Sequence, residues 1–113
     1  RVCDMTEPNI RPQESGNRCD TQWVELENDS LVVRFDAVKT PFNLGIKPYS
    51  DLGLTKMRHR EDEVRTGTYV TLSAFQQGIG TGSCGPYTLK EHTYSAKKDY
   101  ELCFVVSWKT KRR

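Results

Sequence analysis

No apolar run in the 113 residues approaches the roughly 20 that a helix needs to cross a bilayer, which excludes a membrane-spanning helix. A large charge of one sign is also lacking. The 17 basic and 15 acidic side chains leave a net charge of +2, far below the excess that marks a nucleic-acid domain. The one basic cluster, Lys109, Lys111, Arg112 and Arg113, stands at the chain end and reads as a solvated tail. Cys3, Cys19, Cys84 and Cys103 include no C-x-x-C pair, which argues against a zinc ribbon and leaves free thiols and two disulfides equally open. No glycine-rich stretch ends in G-K-[ST] and no Ser sits in a G-x-S-x-G elbow, so a nucleotide cradle and an esterase-type nucleophile both fail on spacing. The chain opens on Arg1-Val2-Cys3-Asp4 rather than Met, and an internal segment of a longer protein is expected. Its length allows one modest domain.

What is present is a succession of short strands. Residues 1–20 carry Pro8, Pro12 and Gly16 without an apolar stripe and read as an extended lead-in. Thr21 to Glu27 and Leu31 to Val38 flank Asn28-Asp29-Ser30, side chains that favour turns, so a hairpin is predicted. In its second strand Leu31, Val33, Phe35 and Ala37 share one face, expected to meet a core, while Val32, Arg34, Asp36 and Val38 share the other. Pro41-Phe42-Asn43-Leu44 begins another extended piece. Ser50 is a plausible N-cap for a helix of at most two turns, with Leu54 and Met57 on one side and the charged run Arg58 to Glu63 closing it. Thr68 to Gln77 and Tyr100 to Trp108 complete the strands, the latter with Tyr100, Leu102, Phe104, Val106 and Trp108 on one apolar face. The predicted class is all-β, an antiparallel β-sandwich with one short helix, with residues 21–108 as the sandwich and 109–113 as the basic tail.

Gly78-Ile79-Gly80-Thr81-Gly82-Ser83-Cys84-Gly85-Pro86 packs four glycines and a proline into nine residues. It reads equally as a crossover between strands and as a surface that a ligand or another domain approaches closely. Cys84 is accessible between glycines, but no cation adjoins it in sequence to favour the thiolate, so it does not read as a nucleophile. His59 and His92 stand among charges, where a surface role is the commoner one. Glycoside hydrolysis needs two carboxylates flanking a sugar, one of them kept protonated. The fifteen acidic residues offer many pairs, but runs such as Glu61-Asp62-Glu63 mark solvated edges and no pair stands out.

Three blocks carry a resemblance. Arg11-Pro12-Gln13-Glu14-Ser15-Gly16-Asn17-Arg18-Cys19-Asp20-Thr21-Gln22-Trp23 resembles the P-Q-E-N-G-N-R-x-D-x-R-W segment in the C-terminal domain of family 2 glycoside hydrolases of the β-galactosidase type. Gln77 to Pro86 resembles that domain's Q-x-G-[IVL]-G-x-x-S-C-G-P loop. Between them Pro41-Phe42-Asn43, Pro48-Tyr49, Leu54 and His59 are similar to the family's P-F-N-F-S-x-x-P-Y-x-x-x-x-L-x-x-x-x-H order. Ser15 replaces the usual Asn, Gln22 a common Arg, and His92 a typical Tyr.

The resemblance implies the C-terminal half of the last domain of a β-galactosidase, part of a galactose-mutarotase-like β-supersandwich. It implies retaining hydrolysis of β-D-galactosides by two glutamates on a central barrel, with none of the catalytic residues in this segment. It further implies that Gly80, Gly82, Ser83 and Cys84 line the outer part of the sugar site. Some members place a stacking Trp in this loop; Cys84 holds the matching position here, as in the other subgroup. Glu14, Asn17 and Arg18 are expected to hold the first loop to the sheet by charge-assisted hydrogen bonds. Magnesium and a monovalent cation are expected on the barrel and none on this segment. The implied partners are the barrel, the first half of the last domain and the galactoside, with no nucleic acid and no membrane, and uncovered sheet edges are expected to promote a homo-oligomer. The rival readings are a separate carbohydrate-binding module and a small secreted protein stapled by two disulfides.

Overall fold

A computed structural model describes residues 2–5, 9–10, 16–78 and 84–111, with only the backbone at Cys3 and Asp4. The all-β class is observed, as two three-stranded sheets and a single α-helix among the described residues. Contacts divide the chain into two compact units, residues 1–21 with 43–72, and residues 22–42 with 73–113.

The first unit holds a short 3-10 turn, Val2–Met5, and a sheet in the order β1 (Arg18–Thr21), β4 (Phe42–Lys47, whose first residue belongs to the other unit) and β5 (Tyr69–Ser73, whose last does). β1 begins inside the stretch read as an irregular lead-in, where three polar residues in four give no apolar alternation to reveal a strand. β4 alternates Phe42, Leu44 and Ile46, all buried, and continues into buried Lys47, Pro48 and Tyr49. Helix α1 (Asp51–Lys56) starts at the predicted cap, where the Ser50 hydroxyl accepts a hydrogen bond from Gly53 N at 3.0 Å. Asp51 places a carboxylate in the first turn and pairs with the buried Lys47 ammonium. The helix closes where Met57 N donates to Leu54 O, and Met57 is buried. Pro48 O accepts from Thr66 N and Gly67 N, tying down the chain that leads into β5.

The second unit holds a fully antiparallel sheet in the order β2 (Trp23–Glu27), β3 (Leu31–Ala37) and β6 (Phe104–Thr110). The predicted hairpin is formed. Asn28 Oδ1 accepts from Ser30 N at 2.9 Å and Leu31 N at 2.8 Å, and this side-chain mimic of a turn sets Glu27 opposite Val32.

That register sorts the side chains into two faces. One carries the cross-strand rows Leu26, Val33, Trp108 and Val24, Phe35, Val106, followed by Ala37 and Phe104. The other carries Glu27, Val32, Lys109, then Glu25, Arg34, Ser107, then Trp23, Asp36, Val105. The first is the apolar face expected of β3, but it is not the buried one. Val33 and Phe35 are half-buried and Trp108 is 72% exposed, while Val32 on the charged face is 3% exposed. Val32 lies in a row between Glu27 and Lys109, two residues from Arg34 on the same face of its strand. The strand predicted from Tyr100 begins only at Phe104, and the one predicted to Gln77 ends at Ser73. In both cases an aromatic residue leaves the ladder for a separate cluster.

Candidate functional site

That cluster stands at the base of the glycine-rich loop. Phe75 stacks on Tyr94 with ring centroids 4.5 Å apart and tilts against Tyr100 at the same separation. Tyr94 meets Tyr100 edge-on at 5.8 Å, completing a three-ring packing unit. Hydrogen bonds tie it to the loop. Gln77 Oε1 accepts from Tyr94 N and Gly78 O accepts from the Thr88 hydroxyl, each at 2.8 Å, so the segment entering the loop is joined to the segment that follows it. Tyr100 OH accepts from Ser95 N at 3.0 Å and sits 3.2 Å from Ser95 O, which fixes the third ring. Beyond this base the chain is exposed at Cys84, Gly85 and Pro86, and Tyr87 is 84% exposed.

Of the residues expected at the sugar rim, Cys84 is described and exposed, while Gly80, Gly82 and Ser83 lie outside the described residues, as does Glu14. The other two residues of the first loop make local bonds. Arg18 Nη1 donates to Asn17 O at 3.1 Å and Asn17 Nδ2 approaches Cys19 Sγ at 3.6 Å. Cys19 and Cys103 are exposed free thiols, so the stapling by two disulfides that one rival reading requires is not formed. Sequence reasoning did not find the Phe75, Tyr94, Tyr100 cluster. Its members come from three separated segments, and no short-range pattern reports such a meeting.

His59 and His92 are exposed and lie in different units. His59 opens a 3-10 turn, Arg60–Asp62, whose Asp62 carboxylate accepts from Arg58 N at 2.8 Å and His59 N at 2.9 Å. These two backbone donors hold the Asp62 carboxyl below the usual carboxylate range. Asp36 is lowered by the Arg34 guanidinium, which donates to both its oxygens, and Glu27 is lowered by Lys111. A general acid for glycoside cleavage needs the opposite displacement, a carboxyl raised by its surroundings. These carboxylates are held ionised by structural partners. Among the described residues no three of His, Cys, Asp or Glu converge to hold a metal ion.

A second constellation lies on the charged face of the β2–β3–β6 sheet. The Arg34 guanidinium sits 4.2 Å from the centre of the Trp23 ring, between Asp36 and Glu25. A shallow depression beside it is lined by Glu25, Val32, Arg34, Ser107, Trp108 and Lys109. The cation–π contact and the fork on Asp36 occupy the guanidinium internally, an arrangement that stiffens the sheet.

The family model of the beta-galactosidase small chain matches residues 1–106. The chain belongs to this family. The small-chain match takes in all three sequence blocks, and individual relatives agree with it. The chain is similar to a beta-galactosidase of Staphylococcus xylosus, 36% identical over 86 residues that make up 75% of this chain and 9% of that protein. It is also similar to one of Lactococcus lactis subsp. lactis, 35% identical over 110 residues, 95% of this chain and 11% of the relative. A beta-galactosidase of Lactobacillus delbrueckii subsp. bulgaricus is 30% identical over 97 residues, 85% of this chain and 10% of that protein. The chain thus spans about a tenth of the length of these curated relatives.

Proposed function

We propose that this chain is a non-catalytic portion of a family 2 β-galactosidase, the C-terminal half of its last domain. In this reading the parent enzyme hydrolyses terminal β-D-galactosides with retention, and this segment contributes the glycine-rich loop to the rim of the sugar site. The match of the small-chain family to residues 1–106 carries the reading. The two carboxylates of a retaining mechanism then come from a barrel elsewhere in the polypeptide, and magnesium and a monovalent cation would be held there as well.

The build of the loop supports this role. Glycines around Cys84 permit close backbone approach, and the base is anchored through Gln77, Gly78 and Thr88 to a packed aromatic cluster. A glycine-rich segment held at its base suits the approach of a sugar hydroxyl or a leaving group to backbone donors and acceptors. Gly80, Gly82, Ser83 and Cys84 would form the rim.

Cys84→Trp in the complete enzyme tests this. An indole adds a large stacking surface at an exposed position, so KM or the preference among aglycones is expected to shift severalfold, with little loss of turnover on the best substrate. Unchanged KM and unchanged aglycone preference would show that the loop does not meet substrate.

A further inference from the structure

We infer that Gln77 is a positioning residue of the parent enzyme, whose side-chain carbonyl sets where the glycine-rich loop lies and thereby how tightly a galactoside is held. The inference rests on the reading of that loop as part of the sugar rim. Gln77 is exposed and immediately precedes the glycine-rich segment. Its Oε1 accepts from Tyr94 N at 2.8 Å across a separation of 17 residues, so the bond serves no local turn. Gly78 follows, and its carbonyl accepts from the Thr88 hydroxyl at 2.8 Å. Two consecutive residues at the loop entrance are thus pinned to two points of the segment that leaves it, with exposed Cys84, Gly85 and Pro86 between.

The partner is itself held in place. Leu89 O and Lys90 O accept from His92 N and Thr93 N around a 3-10 turn, Lys90–His92, so Tyr94 N is the first amide beyond those bonds and Gln77 supplies its acceptor. The Tyr94 ring stacks on Phe75, two positions before Gln77, and meets Tyr100 edge-on. Ser95 N, next along the chain, donates to Tyr100 OH. Tyr94 is therefore fixed by its ring and by its neighbour, and Gln77 carries that fixed position to the base of the loop. Gln76 has the same side chain one position away and is also exposed, but it is Gln77 whose amide reaches Tyr94. One exposed hydrogen bond contributes modestly to global stability, whereas a small displacement of a group that contacts substrate is felt in binding.

Near-isosteric variants of the complete enzyme separate positioning from plain structure. Gln77→Leu keeps the bulk and removes the acceptor, and it is expected to raise KM for a chromogenic β-galactoside about five- to tenfold with kcat kept within about twofold. Gln77→Glu keeps an acceptor at the same reach and should recover most of that loss, because the bond needs the carbonyl oxygen and not the amide N–H groups. Gln76→Leu, the neighbouring control, should leave KM at the parent value. Melting temperatures of all three variants are expected to stay within a few degrees of the parent.

A Gln77→Leu enzyme with parental KM would overturn the inference, whether or not its melting temperature falls, and so would a KM that rises equally in Gln77→Glu or in Gln76→Leu. Cys84→Trp distinguishes this failure from failure of the underlying reading. A shift in KM or aglycone preference there, with none in Gln77→Leu, would leave the loop at the sugar rim and remove only Gln77 from its positioning. Parental KM and aglycone preference in both variants would defeat the reading itself, and the inference with it.

Discussion

Asp62 illustrates how a residue in a charge run acquires a structural role. Sequence alone places it in a solvated edge, and it is exposed, yet its carboxylate accepts two backbone N–H groups and closes a 3-10 turn. Its carboxyl is lowered by those donors, as that of Asp36 is by Arg34. A lowered carboxyl contributes stability above its unfolded value and loses it as pH falls through the folded value, so both contributions fade below about pH 4. Asp62→Ala is therefore expected to lower the melting temperature by a few degrees at pH 7, with the gap to the parent narrowing as pH drops below about 4. A gap that stays constant between pH 7 and pH 3 would show that the carboxylate charge contributes nothing. The same scale explains part of the middle sequence block. Phe42, Pro48 and Tyr49 are buried, and burial raises the Tyr49 phenol above its ordinary value, so these positions serve packing.

Elements were legible where a local rule and a tertiary need coincide. Asn28-Asp29-Ser30 has one dominant solution, an Asx turn, and Ser50 ahead of Asp51 has another, a capped helix start; both are observed. Asn28→Ala removes the acceptor of two backbone N–H groups and is expected to cost about 1 kcal/mol in chemical denaturation. An unchanged midpoint would mean that strand pairing alone sets the turn. Strand ends were less legible. Phe75 and Tyr100 have strand-forming side chains and continue an alternation, but each gains more by packing with Tyr94 than by extending an exposed ladder. Such a choice depends on residues many positions away, which period and propensity do not register. β1 was missed for the opposite reason, since its Arg18, Cys19 and Asp20 are exposed and polar. In β3 the period-two pattern identifies the apolar face, yet the one buried residue of the strand, Val32, lies on the other.

For the whole molecule, the described residues form two compact units, each built around a three-stranded sheet. The family is shown by the match over residues 1–106, and much of it was legible in the three blocks. The proposed rim rests on the motif alone, because Gly80, Gly82 and Ser83 lie outside the described residues.

The central proposal, that this chain is a non-catalytic portion of a β-galactosidase, is tested most directly by hydrolysis of a chromogenic β-galactoside. The 113-residue chain and the polypeptide from the complete reading frame would be assayed side by side at equal molar concentration. Hydrolysis by the complete polypeptide alone is the predicted result. Hydrolysis by the 113-residue chain itself would contradict the account and return attention to the carboxylates near His59 and His92.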